Sequence, residues 1–269
     1  MKISNRLTKI YEQVRHGESA ADIGTDHGYV PIMLLYNGIS PRVIMSDISE
    51  RSIEKARMNF HSEGYRIISP EEILSDDPAQ SVVGTISQSE FRVGNGLETI
   101  SPSEVDTVII AGMGGLLIRN ILSADISKSF SFKKFILQPR NNAGILRHWL
   151  LTNGFDIGKE VLAEEGKFVC EIIVALPQIK FAEGKTDNTA NAAMIKEHLL
   201  ESFPHSDDIR WEYPYSLSKC NNKLLRKLVN RKIGSINTEI YNLGMSKDDQ
   251  SERISGLKED RNYLRQLLD

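Results

Sequence analysis

The residue types that could do chemistry gather in a few short turns. Asp22-Ile23-Gly24-Thr25-Asp26-His27-Gly28 places an acid and an imidazole between two glycines. Glycines behind a strand let the backbone approach a ligand closely, and the N–H groups opening the next helix then face that ligand. The dinucleotide pattern Gly-x-Gly-x-x-Gly does not stand here. Asp26 lies between Gly24 and Gly28, where it would repel a pyrophosphate and suit a ligand with a positive end. An ordinary glycine turn of an α/β protein is the alternative reading. Asp47, followed by Ile48, lies 23 positions beyond Gly24. An acid at that place accepts both hydroxyls of a ribose in nucleotide-binding sheets, and a solvated strand-end acid is its alternative.

Three further turns follow strand-like runs. Gly94-Asn95-Gly96 could cover a planar base, with the Asn95 amide reading its edge, and a plain turn explains it nearly as well. Ala111-Gly112-Met113-Gly114-Gly115 carries three glycines, where a tight strand-to-helix turn needs one or two. Gln138-Pro139-Arg140-Asn141-Asn142 brings amides and a cation to a strand end, either to bind substrate or to cap the next helix. His16, His61, His148, His198 and His205 share no spacing that makes a metal site or a catalytic dyad. Cys170 and Cys220 form neither a zinc pattern nor a redox pair, so reduced thiols and no metal are expected.

The elements that must position these turns follow from periodicity. Residues 5–15 have helical spacing, 20–24 read as a buried strand, and 29–37 read as a helix with Pro31 in its first turn. A second strand over 42–47 and a helix capped by Ser49 complete a βαβ unit. Residues 65–89 read as a polar loop or insertion. Strands are expected around 91–93, 105–110 and 135–137, with helices through Leu122 and over 143–151. Runs 156–164 and 168–176 read as a hairpin turning at Glu165-Gly166. A parallel sheet closing on an antiparallel hairpin is the outline of Rossmann-like methyltransferases. In that outline the Ala111–Gly115 turn lines the space where methyl donor and acceptor meet. The Asp-Pro-Pro-Phe/Tyr signature of exocyclic-amine methylation is absent, which leaves a ring nitrogen open as the target.

Composition changes after Pro177. Residues 178–190 read as a linker, and beyond 190 no strand is expected. Leu217, Leu224, Leu228, Ile233, Ile236, Ile240 and Leu243 follow a three-four repeat, continued by Ile254, Leu257, Leu264 and Leu268. Two long helices packed as an antiparallel coiled coil are therefore expected. Between Glu212 and Glu239 there is no acid, but there are Lys219, Lys223, Arg226, Lys227, Arg231 and Lys232. A helix face of one sign tracks a phosphate backbone, whereas solvated coiled-coil surfaces mix signs. The chain of 269 residues carries a net charge of −3, which runs against a nucleic-acid partner unless the cations are clustered as they are here. No apolar run approaches the roughly 20 residues that span a bilayer, and the N-terminus lacks the apolar core of a signal peptide. A cytoplasmic protein is expected, its oligomeric state open with a monomer favoured.

Taken together, these residues resemble the bacterial tRNA (adenine-N1)-methyltransferases that modify position 22, the TrmK family. The likeness covers residues 4 to about 176 and extends loosely to the helical tail. It rests on Ser4-Asn5-Arg6-Leu7, on Ala21-Asp22-Ile23-Gly24-Thr25-Asp26-His27-Gly28-Tyr29-Val30-Pro31, on Ile110-Ala111-Gly112-Met113-Gly114-Gly115, on Leu137-Gln138-Pro139 and on Gly166-Lys167. The chain departs from the family pattern at Asn95, in place of Asp; at Cys170, in place of Tyr; and at Arg140, in place of Asn. The 65–89 insertion is also longer than in the pattern.

The resemblance implies an α/β fold with a Rossmann-like class I methyltransferase sheet over residues 1–177. A C-terminal antiparallel helical coiled-coil domain over 178–269 would contact tRNA. It implies S-adenosyl-L-methionine as cofactor, held by Asp22, Gly24, Thr25, Gly28, Asp47, Ile48, Asn95, Gly96, Ala111, Gly112 and Met113. Gly114, Gly115, Gln138, Pro139 and Arg140 would meet the base, and Lys223, Arg226, Lys227 and Arg231 the phosphates. The reaction implied is displacement at a sulfonium methyl by adenine N1, which needs no strong base because its lone pair is free. Asp26 is the candidate to stabilise the cationic product or accept its proton, with His27 as alternative. Asp26 could equally face the cofactor amino group. The rival readings are a small-molecule methyltransferase with a dimerising tail and a nucleotide-binding scaffold without catalysis.

Overall fold

A computed structural model of the chain describes residues 3–63, 88–178, 197, 199–220 and 222–269. Most of the expected insertion at 65–89 and most of the expected linker at 178–190 lie outside the described residues. The elements alternate through the first part of the chain: α1 (Asn5–Tyr11), β1 (Ala20–Ile23), α2 (Tyr29–Tyr36), β2 (Arg42–Asp47), α3 (Glu50–Ser62) and β3 (Gln88–Val93). Then come β4 (Thr107–Met113), α4 (Gly115–Ala124), α5 (Ile126–Ser131), β5 (Lys134–Pro139) and α6 (Ala143–Thr152). The hairpin strands β6 (Phe155–Glu165) and β7 (Phe168–Pro177) follow, then α7 (Ile209–Glu212), α8 (Asn222–Gly244) and α9 (Ser251–Gln266).

The strands form one seven-stranded sheet in the order β3-β2-β1-β4-β5-β7-β6. The pairs from β3 to β5 are parallel, and β7 runs antiparallel to both β5 and β6. Strand order reverses between β1 and β4, and a crevice at the carboxyl ends of strands is set by such a reversal. The central strands are apolar on both faces, as parallel strands covered by helices must be. Ile110, Leu137 and Ile173 pack with α4 and α6 on one face, while Ile109, Ile136 and Ile172 pack with α1 and α2 on the other.

Local chemistry sets the helix starts. The Ser4 and Ser49 hydroxyls accept from the N–H groups of Leu7 and Ser52, capping α1 and α3. Gly28 precedes α2 at a φ of 67°, a left-handed conformation that glycine adopts without strain. The α1 helix is shorter than the 5–15 periodicity suggests, because 12–15 fold into turns.

The tail corrects one expectation. Leu217 lies in a 3-10 turn over Tyr215–Lys219, ahead of α8, and is not part of the long helix. The fully buried positions of α8 are Leu225, Val229 and Ile236, which share a core with Leu264 and Leu267 at the end of α9. Leu224 and Leu228 are half-buried, and each lines a groove facing the β6–β7 hairpin. The helix is covered on two sides, by α9 and by the hairpin.

Candidate functional site

The turns singled out by spacing meet along the carboxyl edge of the sheet. Gly24 leaves β1 at a φ of 79°, and the N–H groups of Gly24 and Thr25 donate to the Ser46 carbonyl at 2.7 and 3.1 Å, tying the turn to β2. A Cβ on Gly24 would stand 2.1 Å from the Met113 Cε, so the end of β4 lies directly over the β1 turn. Asp47 closes β2; its Oδ1 accepts from the Ser49 N–H at 2.7 Å, and its carbonyl accepts from the Gly94 N–H at 3.0 Å. Ile48 beside it is 72% exposed, an uncovered apolar side chain at the rim. Asn95 is exposed next to it, and Gly96 turns at a φ of 51° against Ile121.

The two acids of the first turn differ in environment. Asp26 is exposed, receives a hydrogen bond from Lys55 Nζ at 2.9 Å and lies 3.1 Å from His27 Nε2. The Lys55 hydrogen bond, with help from His27, holds its carboxyl below the usual range. His27 stacks on Tyr29 with ring centroids 5.2 Å apart. Asp22 presents a little surface, yet protein surrounds its carboxyl. Burial, reinforced by the nearby Asp47 charge, raises its pKa to about 6. Thr25 and Arg6 act in the opposite direction. The Thr25 Oγ1 is itself buried with no partner in hydrogen-bonding geometry.

The β4 and β5 turns pack on each other. Gly112 has a φ of 76° and lies under the Arg140 guanidinium. The Arg140 N–H donates to the Met113 carbonyl at 2.7 Å, and the Gly115 N–H donates to the Asn141 carbonyl at 3.0 Å. A Cβ on Gly115 would stand 2.4 Å from the Asn142 carbonyl oxygen, and one on Gly114 would stand 3.0 Å from Asn141 Oδ1. All three glycines therefore have a local reason that needs no ligand.

A groove of about 710 Å³ opens beside this junction. Gln138, Pro139 and Arg140 form its floor, Cys170 and Glu171 of β7 form a wall, and Tyr213, Leu228, Arg231 and Lys232 close the far side. Arg6 sits at the rim, donating to Gln138 Oε1 at 3.1 Å and to Glu165 Oε2 at 3.2 Å. Gln138, Pro139, Arg140 and Arg231, expected at the substrate, thus share one groove. Gly114, Gly115, Arg226 and Lys227 do not line it, and Lys223 lines a separate groove. Lys227 pairs with Glu164, Arg226 donates to the Leu268 carbonyl at 2.9 Å, and Arg231 lies 4.8 Å from the centre of the Phe168 ring.

Spacing did not mark Arg6, Glu171, Tyr213 or Lys232 as groove residues. Arg6 lay in a stretch singled out only by resemblance, and Glu171 beside the departure at Cys170. Among the described residues, no group of three or more His, Cys, Asp or Glu could hold a metal ion. None of the described helices is long and apolar enough to cross a membrane.

A sequence model of the tRNA (adenine(22)-N(1))-methyltransferase family matches residues 80–245, and a general methyltransferase-domain model matches residues 3–72. A Bacillus subtilis tRNA (adenine(22)-N(1))-methyltransferase is 31% identical over 182 residues. That match spans 65% of this chain and 65% of the relative, short of two thirds of its length. In fold, the chain is similar to the crystal structure of the B. subtilis m1A22 tRNA methyltransferase TrmK, with a TM-score of 0.72 and 24% identity over 100% of this chain and 99% of that one. It is also similar to M. capricolum TrmK in complex with S-adenosyl-homocysteine, with a TM-score of 0.62 and 20% identity over 100% and 99% of the two chains.

Proposed function

Because this chain belongs to the tRNA (adenine(22)-N(1))-methyltransferase family, whose sequence model covers more than half of it, we propose that it methylates N1 of adenosine 22 in tRNA, with S-adenosyl-L-methionine as donor. The observation that carries the reading is the junction of the turns. The nucleotide-type edge over β2, β1 and β4 ends at Met113, and the groove begins at Arg140, whose N–H bonds the Met113 carbonyl. A donor on one side and an acceptor on the other would meet there.

The residues present fit the cofactor. Thr25 Oγ1 is a buried polar atom beside the Asp22 carboxyl, with no partner in full hydrogen-bonding geometry. Ile48 is an exposed apolar side chain beside an acid at a strand end. Asp22 is an acid which no salt bridge joins among the described residues. When bound, the cofactor supplies an electrophilic methyl group. In this reading Asp47 accepts the ribose hydroxyls, Ile48 covers the adenine face, and Asp22 holds the amino group. Asp26, already paired with Lys55 and His27, keeps its charge at the mouth of the site and is a weak proton acceptor. The groove positions the target base and excludes water, and such positioning can supply a large share of the rate advantage of a displacement.

We read residues 1–177 as the methyltransferase domain and 178–269 as a helical domain whose α8 and α9 form a short antiparallel coiled coil. Base 22 is engaged in folded tRNA, so it must be exposed at a cost of a few kcal/mol. Phosphate contacts from the basic side of α8 offset that cost. A cytoplasmic location suits this substrate.

The test incubates the purified protein with methyl-labelled S-adenosyl-L-methionine and unmodified tRNA, in parallel with the same tRNA carrying guanosine at position 22. Label is expected only in the first, mapping to one adenosine. Equal label in both transcripts overturns the position. Label in small molecules alone favours the small-molecule reading, and bound cofactor with no transfer favours the scaffold.

A further inference from the structure

Glu171 stands two residues before Ile173, which pairs with Leu137, so it sits level with the end of β5. Its side chain is only 12% exposed, and that exposure is to the groove. One oxygen accepts from Arg147 Nη2. Arg147, itself 1% exposed, already has a second carboxylate: its Nε donates to Glu160 at 2.7 Å, and its Nη1 donates to the carbonyls of Trp211 and Glu212. With both carboxylates ionised, the single Arg147 guanidinium would leave one negative charge of the cluster uncompensated. Burying an uncompensated charge is costly, and burial pushes the Glu171 carboxyl above its usual range. Glu160 also accepts from the Ser216 hydroxyl and lines the separate groove bordered by Lys223 and Leu224, whereas Glu171 lines the groove floored by Gln138, Pro139 and Arg140.

We propose that Glu171 contacts the target base and recognises the exocyclic amine of adenine. The assignment rests on the groove being the acceptor site. An ionised carboxylate only accepts hydrogen bonds and has capacity beyond the one Arg147 supplies. Adenine offers an N–H donor at its six-position, whereas guanine and hypoxanthine put an oxygen acceptor there, which a carboxylate repels. Methylation at N1 makes the ring cationic, and a fixed negative charge beside the amine stabilises that charge as it develops. An acceptor in this position therefore selects the base and favours the reaction on it.

The test compares kcat/KM on tRNA with adenosine at position 22 and on the same tRNA with purine riboside there, which lacks the amine. Wild type, Glu171→Gln and Glu160→Gln are measured. The ratio of the two substrates cancels any general loss of fold or tRNA affinity, and comparing variants cancels the intrinsic difference in N1 reactivity. Glu171→Gln is expected to lower the preference for adenosine roughly ten-fold or more, the range for a hydrogen bond to a charged group. Glu160→Gln is expected to keep the wild-type ratio. Equal ratios in all three proteins, or equal losses in the two variants, overturn the assignment. Should Glu171→Gln yield no folded protein, Glu171→Asp retains the charge for Arg147 on a shorter arm, and an unchanged ratio there overturns it equally. A wild type inactive on the adenosine substrate overturns the activity itself, and this assignment with it.

Discussion

Asp22 and Asp26 stand four residues apart in one turn, and their surroundings make them different acids. Asp26 is exposed and spends its charge on Lys55 and His27. Asp22 is enclosed, and burial beside Asp47 lifts its pKa to about 6. If Asp22 holds the cofactor amino group, the bound form needs an ionised carboxylate. Above about pH 6 it is already ionised. Below that it must first lose a proton, so affinity should fall as the medium becomes more acid, approaching roughly ten-fold per pH unit. Calorimetric titration of S-adenosyl-L-methionine between about pH 7.5 and about pH 5 reads this linkage. Asp22→Asn should bind more weakly at the upper end and show a flatter profile. A wild-type affinity that stays constant across the range removes Asp22 from that role. Residue types and spacing suggested both acids, but burial and ion pairing, which separate them, are not written in the spacing.

The α8 helix shows how an element can satisfy two patterns at once. Its sequence repeats apolar residues at three and four steps, and two adjacent stripes answer to that repeat. Leu225, Val229 and Ile236 are buried in the core shared with Leu264 and Leu267, while Leu224 and Leu228, half-buried against that core, also line the grooves beside the hairpin. The cations between them are partly engaged. Lys227 is neutralised by Glu164, whereas Arg226 bonds a carbonyl and Arg231 covers a ring, neither of them a charged partner. The salt dependence of tRNA affinity should therefore owe more to Arg226 and Arg231 than to Lys227. Each phosphate contact contributes about 0.7–0.9 to the slope of log affinity against log salt. Arg226→Gln with Arg231→Gln should flatten that slope by up to about 2 across many tRNAs alike, and Lys227→Gln by less. Binding measured over a salt series checks this. A double variant with the wild-type slope, or one that loses a single tRNA species only, would assign this face another task.

At the scale of the molecule, Arg147 joins the two parts of the chain. On α6, it is the largest fully buried side chain among the described residues, set between the hairpin acids Glu160 and Glu171 and the carbonyls of Trp211 and Glu212 that lead toward the tail. Gly144 permits this approach, since a Cβ there would stand 2.7 Å from the Glu212 nitrogen. Removing one partner of such a cluster strands the others, typically at about 3–5 kcal/mol. Arg147→Met should lose stability of that order in denaturant unfolding, and a loss below about 1 kcal/mol would show that the tail is held by its apolar core alone. The amino-acid sequence by itself determined the alternation of strands and helices, the hairpin, and the glycine turns that open the sheet edge. Those features depend on neighbours within a few positions, through side-chain period and backbone freedom. Only the tertiary structure decided which distant groups share the groove: Arg6 with Gln138, 132 residues on, and Glu171 with Arg147 and the tail. Such pairings depend on how strands order themselves and on which charges burial forces together, and neither leaves a period in the chain.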